Sequence, residues 1–290
     1  MSSQQQDGRG AGTGVAGRRT DRGEPPPAPP PLTVPVPDSH THLDVIGGDP
    51  DAHLRAARAV GVDRVVQVGV DVASSRWAVD LAARRPEVVA TVAIHPNDAP
   101  RQPDLDEALR AVERLAAHPR VRGIGETGLD TYRTGPEGRG AQEASFRAHI
   151  AIAKRYGKPL VIHDRDAHAD VLRVLDEEGA PDTVVMHCFS GDADFAAECL
   201  RRGFVLSFSG TVTFRNARDV QAAARTCPVD RMLVETDAPF LTPTPYRGRL
   251  NGPYLLPLTV RALADLTGTD LDRLCAAVSA TAERVFGRWA

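Results

Sequence analysis

The chain is poor in lysine, aromatic residues and paired cysteines, and each shortage excludes something. Of the 35 basic residues among 290, only Lys154 and Lys158 are lysines; the rest are arginines. The cysteines Cys188, Cys199, Cys227 and Cys275 lie far apart with no C-x-x-C pair. That excludes a disulfide framework and a thiolate zinc site, and suits reduced thiols in the cytoplasm. Aromatics make up 5%, so the core must come from Val, Leu, Ile and Ala. No run approaches the roughly 18 apolar residues of a membrane span. No apolar run follows Arg18-Arg19, so a twin-arginine export signal is not expected. With 38 acidic residues the formal net charge is −3. Such a balance argues against coating nucleic acid by bulk charge and leaves room only for a local basic patch.

What is present divides into a tail and a body. Residues 1–33 are mainly Ser, Gln, Gly, Arg and Pro, and eight of the 23 prolines fall between Pro25 and Pro37. A segment with so little apolar surface cannot offset the entropy of ordering, so a disordered tail is expected, with polyproline II character over Pro25–Pro31. Residues 34–290 alternate β-branched runs with Ala/Leu/Arg stretches of helical period. Strands are expected at Val34–Asp38, Arg64–Val70, Val88–Ile94, Val121–Gly125, Pro159–Ile162, Thr183–Met186, Phe204–Phe208 and Arg231–Val234. A helical stretch follows each, and a last helix over Asp270–Phe286 closes the chain. Eight strand–helix units predict an α/β fold, a single (β/α)8 TIM barrel domain. An open doubly wound sheet is the second choice, but no G-x-G-x-x-G turn supports it.

Barrel enzymes place their chemistry at the C-terminal ends of the strands. There this sequence gathers His40 and His42 after the first strand, His95 after the third, Glu126 after the fourth, His163 after the fifth, His187 after the sixth and Asp237 after the eighth. The i, i+2 spacing of His40 and His42 puts both rings on one side of an extended chain. A lone histidine in such a place is more often structural; five of the nine at one end of a repeating unit are not explained that way. Imidazoles with carboxylates suit two divalent ions, Zn²⁺, Mn²⁺ or Mg²⁺. Four histidines and two carboxylates exceed the needs of one tetrahedral ion, and a two-metal site with a bridging carboxylate accounts for the number.

These segments resemble the TatD family of metal-dependent hydrolases and deoxyribonucleases. The matching stretches are DSHTHLD from Asp38, AIHPNDA from Ala93, GETGLD from Gly125, PLVIHDRDA from Pro159, VMHCFSG from Val185, SFSGTVTF from Ser207 and LVETDAPFLTP from Leu233. The resemblance implies that His40, His42 and Asp237 hold one metal, that His163 and His187 hold the other, and that Glu126 bridges. It implies that Asp237 orients or deprotonates a metal-bridging hydroxide and that His95 approaches the substrate phosphate. The implied activity is phosphodiester hydrolysis of the 3′–5′ exonuclease type. The family often has His at position 97, Ser at 164 and Asn-Glu-Pro near the C-terminus; here Asn97, Asp164 and Asn251-Gly252-Pro253 stand instead.

The lysine shortage adds an independent argument. Many binuclear amidohydrolases bridge their metals with a carboxylated lysine at a strand end, and neither Lys154 nor Lys158 is so placed. A substrate phosphate needs cations to position it. Arg247 and Arg249 are the leading candidates, followed by Arg165 and then Arg133. No aromatic-rich platform stands out, so nucleic-acid ends or small phosphodiesters are expected rather than long tracts. Two other functions fit the same sequence: a metal-dependent deacylase or esterase, such as one removing D-amino acids from tRNA, and a non-catalytic metal-bound scaffold. Cys188 is expected to pack as a small apolar residue, His53, His118 and His149 to be structural or exposed residues of helices, and His168, one turn into a helix, not to be a ligand.

Overall fold

The computed structural model describes residues 24–289. Eight parallel strands follow one another in chain order: β1 Val36–Thr41, β2 Val62–Val68, β3 Val88–Val92, β4 Val121–Asp130, β5 Leu160–Arg165, β6 Val184–Met186, β7 Val205–Phe208 and β8 Met232–Val234. A parallel bridge between Thr41 and Ala238 joins the last strand to the first, and the ring becomes a (β/α)8 barrel. The helices are α1 Leu43–Ile46, α2 Pro50–Ala59, α3 Val72–Arg84, α4 Leu105–Ala116, α5 Pro136–Tyr156, α6 His168–Glu178, α7 Ala193–Arg201, α8 Arg218–Thr226, α9 Leu256–Thr267 and α10 Leu271–Phe286. Among the described residues, no helix is long and apolar enough to cross a membrane.

Local signals set the helix ends. Asp71 caps α3, accepting from the Ser74 N–H at 2.7 Å, and the Ser74 hydroxyl accepts the Asp71 N–H in return. Proline opens α2 and α5, where a missing N–H leaves no helical bond unmade. Gly157, at φ 59°, ends α5 in the left-handed region.

The alternation of side chains along the strands sorts the core into two clusters. Leu160, Ile162, Val184, Met186, Leu206, Met232 and Val234 face the helices. Val66, Val68, Val89, Val161, Val185, Val205 and Leu233 face inward, where Val285, Phe286 and Trp289 pack against them. The C-terminal end of the chain therefore plugs the barrel at the N-terminal ends of the strands. Each aliphatic side chain so buried contributes roughly 1.5–3 kcal/mol.

Several boundaries differ from the sequence expectation. β4 continues to Asp130, so Glu126 lies within the strand, not after it. β5 continues to Arg165 and takes in His163; β1 reaches Thr41 and takes in His40. Glycines in β4 read as a stop but serve close approach of the chains. A Cβ at Gly125 would strike the Val161 carbonyl oxygen, and one at Gly128 the His163 carbonyl oxygen, so only glycine lets β4 lie against β5 here. A short additional helix, α1, directly follows β1 ahead of α2. His118 lies beyond the end of α4, where its Nδ1 accepts the Arg120 N–H at 3.1 Å.

The expected loose tail over residues 1–33 needs revision in its second part; residues 1–23 lie outside those described. Residues 24–33 are held against the barrel. Tyr254 donates its hydroxyl to the Pro26 carbonyl at 2.9 Å, and Arg261 donates to the carbonyls of Pro30 and Pro31, each at 3.0 Å. Arg249 donates to the Glu24 carbonyl. Leu32 is buried, and its N–H reaches the Val60 carbonyl at 3.0 Å.

Candidate metal centre

The inward phase of the strands, apolar in mid-barrel, turns ionisable two residues later. Val161 is followed on that face by His163, Val185 by His187, and Leu233 by Glu235 and Asp237. On β4 the register with β5 shifts between Ile124 and Thr127, and past that irregularity Glu126, Gly128 and Asp130 alternate. Strand closure brings in the other pair: the Asp237 N–H donates to the His40 carbonyl at 3.0 Å and the His42 N–H to the Ala238 carbonyl at 2.9 Å. Asp38 ties the same seam, accepting the Thr236 N–H at 2.9 Å and the Thr236 hydroxyl; burial pushes its pKa up to about 7.

Glu126 stands at the centre, and its two oxygens face different partners. Oε2 lies 3.4 Å from His40 Nε2 and 3.9 Å from His42 Nε2. Oε1 lies 2.7 Å from His163 Nδ1, 3.3 Å from His187 Nε2 and 3.4 Å from His95 Nε2. Asp237 Oδ1 lies 3.4 Å from His42 Nε2 and 3.8 Å from His40 Nε2. Two donor sets, His40–His42–Glu126 and His95–Glu126–His163, each have their atoms within 4.8 Å of one another and share Glu126. The structure therefore brings His40, His42, His95, Glu126, His163, His187 and Asp237 together at one mouth.

Partners on the far nitrogens orient three rings. His42 Nδ1 donates to the Val68 carbonyl at 3.3 Å, which leaves Nε2 a bare lone pair. His187 Nδ1 faces Glu235 Oε1 at 2.8 Å, with its Nε2 turned toward Glu126. His95 is the reverse. Its Nδ1 accepts the Asn97 N–H at 3.0 Å, so the neutral ring carries its proton on Nε2 and acts there as a donor.

The electrostatics of this cluster call for positive charge. Glu126, Asp130, Glu235 and Asp237 gather at the mouth, and among the described residues only histidines form ion pairs with them. Burial opposes ionisation of Glu126, but His95, His187 and His163 hold its carboxyl well below the usual range. Burial opposes charge on His163 too, yet Asp130 and Glu126 raise its pKa to about 9. For His187, burial is overcome by Glu235 and Glu126, and the shift is strongly upward. His40 shifts down, from burial and the neighbouring His187 charge. The Nε2 atoms of His40 and His42 lie 3.2 Å apart. Buried carboxylates ringed by imidazoles, with no lysine or arginine among the described residues to neutralise them, match divalent cations.

Two acidic residues here escaped the sequence reading. Asp130, fully buried, lies 3.2 Å from His163 Nε2 and accepts Asn97 Nδ2 at 2.8 Å. Burial works against its ionisation, but the bonds from His163 and Asn97 hold its pKa low. Glu235, also buried, accepts the Ser207 hydroxyl and faces His187. The strand alternation was the available signal: Asp130 is two steps of two beyond Glu126, and Glu235 lies midway between Leu233 and Asp237.

Asn97 and Asp164, which depart from the family pattern, and Asn251, which precedes the departing Gly252, act as fasteners. Asn97 clamps the loop after β3 to Asp130; Asp164 Oδ2 lies 2.7 Å from His168 Nδ1; Asn251 donates to the carbonyls of Thr236 and Phe240, on either side of Asp237. Cys188 borders the centre, with Sγ 3.2 Å from Ser209 Oγ, and burial pushes its thiol up to about 12. Arg165 stacks over the Tyr132 ring at 4.0 Å and Arg247 over the Phe214 ring at 4.3 Å. Arg133 is exposed beyond β4. Arg249 donates to the Glu24 carbonyl of the N-terminal segment.

The sequence model of the family described as TatD related DNase matches residues 37–287. The chain belongs to the TatD family. A metal-dependent hydrolase of Mycobacterium tuberculosis, TatD, is 48% identical over 259 residues, covering 86% of this chain and 97% of its own. A 3′-5′ ssDNA/RNA exonuclease TatD of Citrobacter rodentium is 35% identical over 249 residues, covering 82% and 92%. The crystal structure of a TatD homolog from Escherichia coli K12 superimposes with a TM-score of 0.81 at 24% identity, covering 87% of this chain and 97% of that one. The barrel is thus that of TatD-family metal-dependent hydrolases, and the histidines and carboxylates at its mouth form groups able to hold a metal.

Proposed function

We propose that this TatD-family protein is a two-metal phosphodiesterase that degrades nucleic acid from its 3′ end. The observation that carries the reading is Glu126, whose Oε2 faces His40 and His42 while its Oε1 faces His163 and His187. One carboxylate addressing two imidazole sets is what a bridging ligand requires. His40, His42 and Asp237 would hold one cation and His163 and His187 the other. Such ions, when bound, lower the pKa of a water towards about 7 and offset charge on phosphate oxygens. The Citrobacter relative's name, an exonuclease on single-stranded DNA and RNA, supports the choice of substrate.

The chain's own residues do the rest. Burial opposes the charge of Asp237, but His42, His187 and His40 hold its carboxyl below the usual range. It is therefore ionised at neutral pH and accepts the proton of the attacking water. His95 directs its Nε2–H toward the centre and donates to a phosphate oxygen there. Arg165, at the end of β5, supplies a cation on one rim, and Arg247 supplies another beyond β8. Glu235 and Asp130 orient His187 and His163. The four unpaired cysteines suit a cytoplasmic location.

Metal analysis of the purified protein combined with an oligonucleotide assay tests the reading. About two ions per chain and loss of 3′ degradation on chelation are expected, with recovery on adding Mn²⁺, Zn²⁺ or Mg²⁺. A single ion per chain, or full turnover after chelation, would sink it.

A further inference from the structure

Large apolar side chains exposed to solvent are few among the described residues, and their placement is not random. They are Val45, Tyr132, Phe240 and Leu250. All four lie on segments that follow the C-terminal ends of strands: Val45 on α1 after β1, Tyr132 after β4, Phe240 and Leu250 after β8. Among the described residues, helices α2–α10 carry none. Scattered apolar exposure needs no explanation, but exposure confined to the rim of one ionisable centre does.

Phe240 and Tyr132 are presented rigidly. The Phe240 N–H donates to the Asp237 carbonyl at 2.8 Å, and Asn251 holds the Phe240 carbonyl. Its ring stands edge-on to His42, centroids 6.2 Å apart, yet the residue is 46% exposed. Across the mouth, the turn carrying Tyr132 is pinned on both sides. The Thr131 N–H donates to the Arg165 carbonyl at 3.0 Å, and the Arg133 N–H to Asp130 Oδ1 at 2.8 Å. One face of the Tyr132 ring is covered by the Arg165 guanidinium; the residue is 65% exposed. The protein thus fixes two aromatic rings beside the metal-ligating residues without burying either.

We infer that Phe240 and Tyr132 are specificity-determining residues that stack on the unpaired bases flanking the scissile phosphate. The inference rests on the phosphodiesterase reading and deepens it. Two exposed aromatic rings, one of them backed by a guanidinium, set around anion-binding chemistry match the alternation of flat bases and phosphates in a single strand. A paired duplex offers no free base face to such rings, so the preferred substrate is a frayed or single-stranded end. No aromatic-rich stretch of sequence announces these two residues, which lie 108 positions apart and share the mouth only because the barrel closes.

The test compares the metal-loaded wild type with Phe240→Ala and Tyr132→Ala on two single-stranded oligonucleotides. One has a normal 3′ end; the other has abasic residues at its last two positions. Wild type should prefer the base-bearing end by about tenfold in kcat/KM, mostly through KM, as one lost stacking contact implies. Each variant should move that preference toward one, and Phe240→Trp should restore it. Anisotropy of the same labelled oligonucleotides, bound without turnover in Ca²⁺, should show the same loss of discrimination. That arm reads stacking even if no cleavage occurs, so a failed hydrolase reading and a failed stacking reading are told apart. A wild type indifferent to the bases, or variants that keep its full preference in both assays, would overturn the inference and leave the rim as a surface for a protein.

Discussion

The two ends of this barrel are built from the same inward-facing positions and serve opposite purposes. At the N-terminal end of the strands, Val66, Val89, Val161, Val185 and Leu233 close around Phe286 and Trp289. Two residues further along the same faces come His163, His187 and Glu235, with Asp237 beyond. The plugged end buries apolar area, which favours folding. The ionisable end buries charge, which opposes it unless each group finds a partner. The barrel tolerates that cost because the apolar end lies directly beneath it.

The sharpest way to break this contrast is to change each end alone. Asp237→Asn removes the proton acceptor while keeping shape; kcat should fall by about 10²–10⁴ and the melting temperature should hold or rise. A variant with unchanged kcat would refute the role of Asp237. Phe286→Ala acts at the other end and should cost about 3–5 kcal/mol of stability in denaturant titration, with activity per folded molecule retained. If activity fell and stability did not, the division between the ends would be false.

A third test uses pH. His149 is buried in α5; its Nε2 accepts the Ile94 N–H at 3.1 Å and its Nδ1 donates to the Ser145 carbonyl at 2.7 Å. Burial lowers its pKa from 6.5 to about 4. The unfolded chain therefore binds the extra proton first. Stability should be unaffected by this group above pH 6.5 and should decline as pH falls to about 4, by about 3 kcal/mol in all. His149→Gln should flatten that acid limb in urea titrations run from pH 7 to 4; an unchanged limb would show that His149 is not its source. The smallest effect belongs to the orienting carboxylates. Glu235→Gln should weaken metal affinity by about 10–100-fold, measured by competition with a chelator, without unfolding the protein. An unaltered affinity would mean that Glu235 does not orient His187.

Much of this architecture was readable from residues alone, and the exceptions have physical causes. Eight β-branched runs separated by helical periods gave the barrel, because a strand covered on both faces must be apolar throughout. His40, His42, His163, His187, Glu126 and Asp237 were legible because they stop those runs abruptly. The end of β4 was hidden because Gly125 and Gly128 look like turn residues, whereas in the barrel they let β5 come close. Asp130 and Glu235 were hidden because each sits among other polar residues, where only the two-residue phase of the strand distinguishes them. The docking of residues 24–33 was hidden for a different reason. A proline-rich stretch looks too polar to dock, yet its carbonyls attract arginine whatever its side chains are.

That docking has a wider consequence. Proline keeps its carbonyl but has no N–H. Between Pro25 and Pro31 the segment offers acceptors and, apart from Ala28, no backbone donors. Tyr254 and Arg261 use three of those acceptors. An extended ribbon clipped down in this way has no row of free N–H groups through which a second molecule could extend it into a sheet. The protein gains a fixed border along α9 without gaining a sticky edge.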